Sequence, residues 1–192
     1  SLAHLLSYNL DKDSYNTNLQ KELNAVSEYV RLQKVRYQFE FAIRIIPEDS
    51  ILNYPCPKFI LQPFIENALS HGYRENMNIS IEITVLLHEI AITISDTGSG
   101  MTEEALSNAA FQLRASGSSG GRSEDQKDSA AIIMNQSSGK GIGLSYVAGI
   151  LQLYYNHPCH ISVASSLGAG TSFCIHLPKM KGRGYHAEDT DH

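Results

Sequence analysis

The sequence predicts a two-layer α/β sandwich, a mixed sheet packed against helices and preceded by a helical segment. Three observations predict it. Runs such as I-S-I-E-I-T-V and I-A-I-T-I-S-D alternate apolar and polar residues, the period-two mark of a strand with one buried face. Other segments place apolar residues every three or four positions, the mark of a helix with one buried stripe. The two kinds of segment do not follow one another with βαβ regularity, so a layered mixed sheet is expected instead of a doubly wound parallel one.

Each element has its own signal. Leu2 to Leu10 reads as the last turns of a helix, ended by the polar D-K-D-S-Y-N-T-N. A second helix is expected from about Leu19 to Tyr37, with Leu19, Leu23, Val26, Val30 and Gln33 as its stripe. F-E-F-A-I-R-I-I, ending at Pro47, reads as a strand. Pro57 suits the first turn of the next helix, which is expected to run to about His71 with Gly72 as a left-handed stop. Two strands joined tightly at His88-Glu89 follow, then a short helix from Met101 to about Ala110. Arg114 to Gly139 is a long polar loop, the kind of segment that serves as a lid or stays disordered. A helix from about Ile142 to Tyr155 and the strands C-H-I-S-V-A-S and G-T-S-F-C-I-H-L-P complete the domain, and a polar tail follows Lys179.

Composition narrows the function classes. A chain of 192 residues suits one domain with an appendage, and 42% hydrophobic against 18% charged residues suffices for a core. A net charge of -5 argues against a general affinity for nucleic acid or anionic lipid. Three scattered cysteines make neither a disulfide framework nor a zinc site, so a reducing, cytosolic setting is expected. No apolar stretch approaches the roughly 20 residues that span a bilayer. The chain opens on Ser1 without an initiator methionine and reads as a fragment.

Three stretches carry candidate chemistry. In E-N-A-L-S-H-G, Asn67, Ser70 and His71 share a helical face, and an amide oxygen is a hard ligand suited to Mg²⁺; a buried asparagine satisfied by backbone groups fits the same residues. In S-D-T-G-S-G-M, Asp96 leaves a strand, and Gly98 and Gly100 let the backbone bend close to a ligand. A carboxylate there can accept from an exocyclic amine such as that of adenine, while a tight turn with a capping aspartate is the plainer alternative. In S-G-K-G-I-G-L, glycines open a helix whose N-terminal N–H groups suit a phosphate, with Lys140 as an added charge. This stretch has neither the strand that precedes a Rossmann glycine loop nor the Lys-Ser/Thr of a P-loop. Gly168, Gly170 and Thr171 lie in S-L-G-A-G-T-S-F, which alone reads as a glycine hairpin.

Taken in order, these stretches resemble the N, G1, G2 and G3 boxes of the GHKL (Bergerat) ATP-binding fold. The closer resemblance is to LytS/YesM-type sensor histidine kinases of bacterial two-component systems. It rests on L-Q-P-F-I-E-N-A-L-S-H-G, on the helix E-L-N-A-V-S-E-Y-V-R-L-Q-K-V-R-Y, on G-I-G-L-S-Y-V and on the closing Leu177-Pro178, and it runs from about residue 2 to 179. The resemblance implies ATP and Mg²⁺ as cofactors. Asn67 would bind the metal, and Glu66 would be the acid/base or orienting residue beside the transferring phosphoryl. Asp96 would hold the adenine amine with Thr171 in the same pocket, and Gly98 and Gly100 would let the backbone pass the base. Gly139, Gly141 and Gly143 would wrap the phosphates, with Lys140, Ile142 and Leu144 in the same box. His71 would be a phosphate-side or structural contact.

The resemblance also implies an organisation. Residues 1–38 would be the trailing end of the dimerisation and phosphoacceptor helices, 39–180 the catalytic domain with a lid at about 111–138, and 181–192 a flexible tail. The family's phosphoacceptor lies in a P-H-F-L-F-N-like segment, which this sequence does not contain, and His4 matches a later part of the helix. Implied partners are that upstream histidine segment in the same or a partner subunit, a response regulator and a second copy of the full-length protein, with no nucleic acid. The implied setting is the cytoplasmic side of a bacterial inner-membrane sensor. N-A-L-S-H-G-Y-R-E-N is also similar to the N box of anti-sigma-factor serine kinases, and a nucleotide-sensing module without transferase activity is a third expectation.

Overall fold

The computed structural model describes residues 16–47, 51–115, 142–155 and 159–179. A strand β1 (Asn16–Asn18) leads into helix α1 (Leu19–Gln33). The Asn18 side chain caps α1 by accepting from the Lys21 N–H at 3.0 Å. Leu19, Leu23, Val26 and Val30 are buried, as their spacing predicts. The helix stops at Gln33, short of the expected Tyr37, because the stripe ends at Val30 and Val35 is 90% exposed. Nothing apolar remains there to hold further turns against the core. Tyr37 instead packs on Tyr73, with ring centroids 4.8 Å apart.

β2 (Phe39–Ile46) follows, then a short strand β3 (Pro55–Pro57) that pairs antiparallel with β1. Pro57 therefore ends a strand and does not begin a helix. The chain turns at Phe59, whose φ is +63°, and helix α2 (Gln62–His71) begins five residues late, with Pro63 in its first turn. Gly72 is not left-handed either: its φ is −100°.

The remaining elements are β4 (Met77–Val85), β5 (Glu89–Asp96), α3 (Glu103–Ala115), α4 (Ile142–Tyr155), β6 (His160–Ser166) and β7 (Gly170–Pro178). Here α3 extends past the expected Ala110, so Arg114 is helical. Of the lid expected at about 111–138, residues 111–115 are instead the end of this helix; the rest of that lid, the predicted N-terminal helix and the tail from 181 lie outside the described residues. The main sheet has the order β2-β4-β5-β7-β6. Its β2–β4 pair is parallel and the rest antiparallel, so it is mixed as expected.

Alternation sets the faces. Met77, Ile79, Ile81 and Ile83 of β4, Ile90, Ile92 and Ile94 of β5, and Phe173, Ile175 and Leu177 of β7 are buried. The buried side chains of α2 are Phe64, Ile65, Ala68 and Leu69, and Phe64 meets Phe173 with ring centroids 4.9 Å apart. The other side of the sheet is polar and partly open, with Ser95 and Ser172 hydroxyls 2.8 Å apart. Among the described residues, no helix is long and apolar enough to cross a membrane.

Candidate functional site

The period of two that buries Ile90, Ile92 and Ile94 also places Asp96 on the helix-covered face, and it is 9% exposed. Its register partner on β7 is Thr171, likewise buried. Two polar residues thus take over at the end of the sheet where the apolar rows stop. Asp96 Oδ1 accepts the Gly98 N–H at 2.8 Å, and the carboxyl also receives the Thr171 N–H. Burial pushes its acidity above the usual carboxylate range, and those two N–H groups partly oppose the shift. No ion pair reaches Asp96 among the described residues.

Thr171 belongs to a small hydroxyl network. Ser165 donates to the Gly170 carbonyl at 2.8 Å and accepts from the Met101 N–H at 2.9 Å. With its one proton committed, Ser165 accepts from Thr171 across 3.0 Å, which leaves the Thr171 oxygen as an acceptor.

The turn after Asp96 is threaded between two other parts of the chain. Ser99 donates its N–H to the Gly72 carbonyl at 2.8 Å and its hydroxyl to the His71 carbonyl at 3.3 Å. On the far side, Gly168 N–H reaches the Ser99 carbonyl at 2.7 Å. A Cβ at Gly98 would lie 2.1 Å from the Gly72 carbonyl oxygen, and one at Gly100 would lie 2.0 Å from that of Ser166. In this structure the close approaches that require these glycines are to the protein's own backbone. Both features of the plainer reading, the tight turn and the capping aspartate, are present as well.

α2 runs alongside this turn. Asn67, expected to be either a ligand or satisfied by backbone, is half-buried, and its amide has no hydrogen-bond partner among the described residues. Glu66 is exposed and accepts from Gln62 Nε2 at 2.7 Å. The Ser70 hydroxyl, expected on the same face as Asn67 and His71, donates back to the Glu66 carbonyl at 2.6 Å. The His71 imidazole is exposed, and its carbonyl is what meets the Asp96 turn. At the other end of α2, a Cβ on Gly143 would lie 3.2 Å from Pro63 Cβ, so the start of α4 rests against the start of α2. Leu144 is buried there. Gly139, Lys140 and Gly141 lie outside the described residues, as does the side chain of Ile142. The fold therefore brings Asp96, Thr171, Gly98 and Gly100 together at one end of α2 and Gly143 and Leu144 to the other, with Glu66 and Asn67 between.

Sequence reading missed two contributors from α1. Glu22 is 1% exposed, and its carboxylate accepts the N–H groups of Phe59 and Ile60 at 2.8 and 3.0 Å. The Tyr29 hydroxyl is pushed up to about 12, first by burial and then by the negative charge of Glu66. Nothing in the local sequence marks either one. Among the described residues, no group of three or more His, Cys, Asp or Glu side chains is placed to hold a metal ion by itself.

A family model described as "Histidine kinase-, DNA gyrase B-, and HSP90-like ATPase" matches residues 57–181. The chain is 25% identical over 182 residues to the sensor protein kinase HptS of Staphylococcus aureus strain USA300, covering 94% of this chain and 32% of that protein. It thus spans about a third of the length of the curated relatives it matches. The nucleotide-free catalytic domain of the histidine kinase ThkA shares the fold, with a TM-score of 0.56 at 16% identity over 85% of this chain and 94% of that one. The Acinetobacter baumannii histidine kinase AdeS does so too, with a TM-score of 0.56 at 14% identity over 92% and 74%.

Proposed function

The chain belongs to the histidine kinase-, DNA gyrase B- and HSP90-like ATPase family, and from that premise we propose that it is the ATP-binding catalytic domain of a LytS/YesM-type sensor histidine kinase. Its product would be a phosphohistidine, relayed to a response-regulator aspartate. The acceptor histidine would sit on an upstream helical segment of the same or a partner subunit in a homodimeric, membrane-anchored protein. Residues 39–180 would form the catalytic domain, with residues 1–38 as the end of the dimerisation and linker region.

The observation that carries this reading is the buried Asp96 carboxylate, held by two backbone N–H groups and without a counter-charge among the described residues, at the end of an apolar sheet face. Such a group suits a neutral donor like the adenine amine, and Thr171 adds an acceptor beside it. Asn67 offers an amide oxygen on the helix that ends at Gly72, where an added Cβ would lie 3.5 Å from Asp96 Oδ1. A Mg²⁺ that arrives with phosphates needs only one or two protein oxygens, so Asn67, with Glu66 beside it, fits that metal without a protein cage. Bound there, it would neutralise phosphate charge. Glu66 would orient or deprotonate the accepting imidazole, and His71 would lie on the phosphate side. Gly139, Lys140, Gly141, Ile142, Gly143 and Leu144 would close over the phosphates.

Calorimetric titration with Mg-ATP tests the reading. Wild type is expected to bind, Asp96→Asn to lose at least tenfold in affinity, and Asn67→Ala to lose affinity for Mg-ATP but little for metal-free adenosine. Equal affinity in all three proteins would sink it.

A further inference from the structure

We propose that Glu22 is a positioning residue for the nucleotide site, through which the place of α1 fixes the place of α2. The inference rests on the nucleotide-site reading above and adds a means of regulating that site from upstream of β1.

α2 starts without a local cap, since its N-cap residue is Leu61 and makes no side-chain bond. The turn leading into it is held from another helix. The Glu22 carboxylate accepts from Phe59 at 2.8 Å through Oε1, and from Ile60 and Leu61 at 3.0 and 3.4 Å through Oε2. Charge-assisted bonds of this kind are stronger than neutral ones, and a negative charge beside a helix start complements its dipole. The turn also holds Phe59 in a left-handed conformation, φ +63°. Such a conformation in a bulky residue persists only where its surroundings enforce it.

The same end of α1 is bonded to the approach of that turn. Leu19 N–H reaches the Tyr54 carbonyl at 3.0 Å, Gln20 N–H reaches that of Leu52 at 2.9 Å, and β1 pairs with β3. The chain arriving along β1 is therefore connected, through β3 and the Glu22-held turn, to the start of the helix bearing Glu66 and Asn67. A displacement of α1 must carry that start with it or leave a buried carboxylate without its donors, which is the costlier course. α2 follows α1.

The test uses the whole 192-residue chain as wild type, Glu22→Gln, Glu22→Ala and Val26→Ala, the last removing core volume from α1 without touching the turn. Amide hydrogen exchange is compared between α2 and strands β5 and β7, alongside Mg-ATP affinity. Glu22→Gln should speed exchange in the first half of α2 about tenfold, leave β5 and β7 unchanged, and weaken Mg-ATP binding about tenfold. Glu22→Ala should do more of the same. Val26→Ala should raise exchange evenly and leave the affinity of the folded chain alone. If both Glu22 variants behave like Val26→Ala, or α2 loosens with no change in affinity, or neither readout moves, the proposal is overturned. A wild type that bound no Mg-ATP would refute the nucleotide reading itself; binding that is indifferent to Glu22 refutes only this inference.

Discussion

Asp96 sits where a charge is costly, and its neighbours offset that cost only in part. Its folded carboxyl titrates above the ordinary value of 3.8, first because it is buried. The folded state therefore binds the proton more tightly than the unfolded chain does. The stability this group contributes is full below about 3.8 and is lost as pH rises through the raised folded value. At neutral pH the ionised group is a net cost. Asp96→Asn keeps an acceptor for the Gly98 N–H and removes the charge, so without nucleotide it should melt above wild type at pH 7. The gap should close as pH falls toward 4. Scanning calorimetry reads it at roughly 2–4 °C per kcal/mol for a chain of this size; a lower melting point at pH 7 would mean that the two N–H bonds outweigh burial. At Gly98 the obstacle is steric, since an added Cβ would meet a carbonyl oxygen and not a yielding side chain. Gly98→Ala should therefore lower stability by about 3 kcal/mol in urea denaturation. The sequence announces Asp96 and its glycines because strand ends and turns leave local marks. It says nothing of Glu22, whose bonds to the N–H groups of Phe59, Ile60 and Leu61 reach 37 to 39 positions along the chain and leave no side-chain signature.

At the scale of elements, α2 does two jobs on two faces. Phe64, Ile65, Ala68 and Leu69 hold it to the sheet, while Glu66 is exposed and Asn67 half-buried. Cutting Phe64 to alanine empties a fully buried site against Phe173 and should cost about 3–5 kcal/mol in urea denaturation. Glu66→Ala, on the exposed face, should stay within about 0.5 kcal/mol. A large stability loss from Glu66→Ala would show that the two faces are not separable. This division was legible in F-I-E-N-A-L-S-H-G because helical period separates the positions. The start of the helix was not legible, because Pro57 and Pro63 both suit a first turn. The choice fell to β3 pairing with β1 and to the turn at Phe59, both set by distant chain. Strands β4, β5 and β7 were legible because one face of each is buried. β1 and β3, at three residues each, are too short to show any period.

Over the whole molecule, the mixed order β2-β4-β5-β7-β6 sets β5 and β7, the interior strands that carry Asp96 and Thr171, side by side under the end of α2. Alternation in the sequence predicts which face each strand buries, but not which strand lies beside it; pairing between β5 and β7 spans 75 residues at its closest register, from Asp96 to Thr171. The site is therefore a product of topology, and in the proposed reading the side chains brought to it would bind the nucleotide and orient the transfer. None supplies a phosphoryl acceptor: the P-H-F-L-F-N-like segment implied by the family resemblance does not occur in these 192 residues. Binding and transfer should consequently separate. With Mg-ATP alone, the chain should be stabilised by about 2.7 kcal/mol at a hundredfold excess over its dissociation constant, yet gain no acid-labile phosphate. When a helical fragment bearing such a histidine segment is added in trans, acid-labile label should appear on the fragment, and Asp96→Asn should reduce it at least tenfold. Acid-stable phosphoserine on a small partner would move the chain to the serine kinases. Nucleotide-dependent ordering with no transfer to any histidine fragment would make it a sensor module.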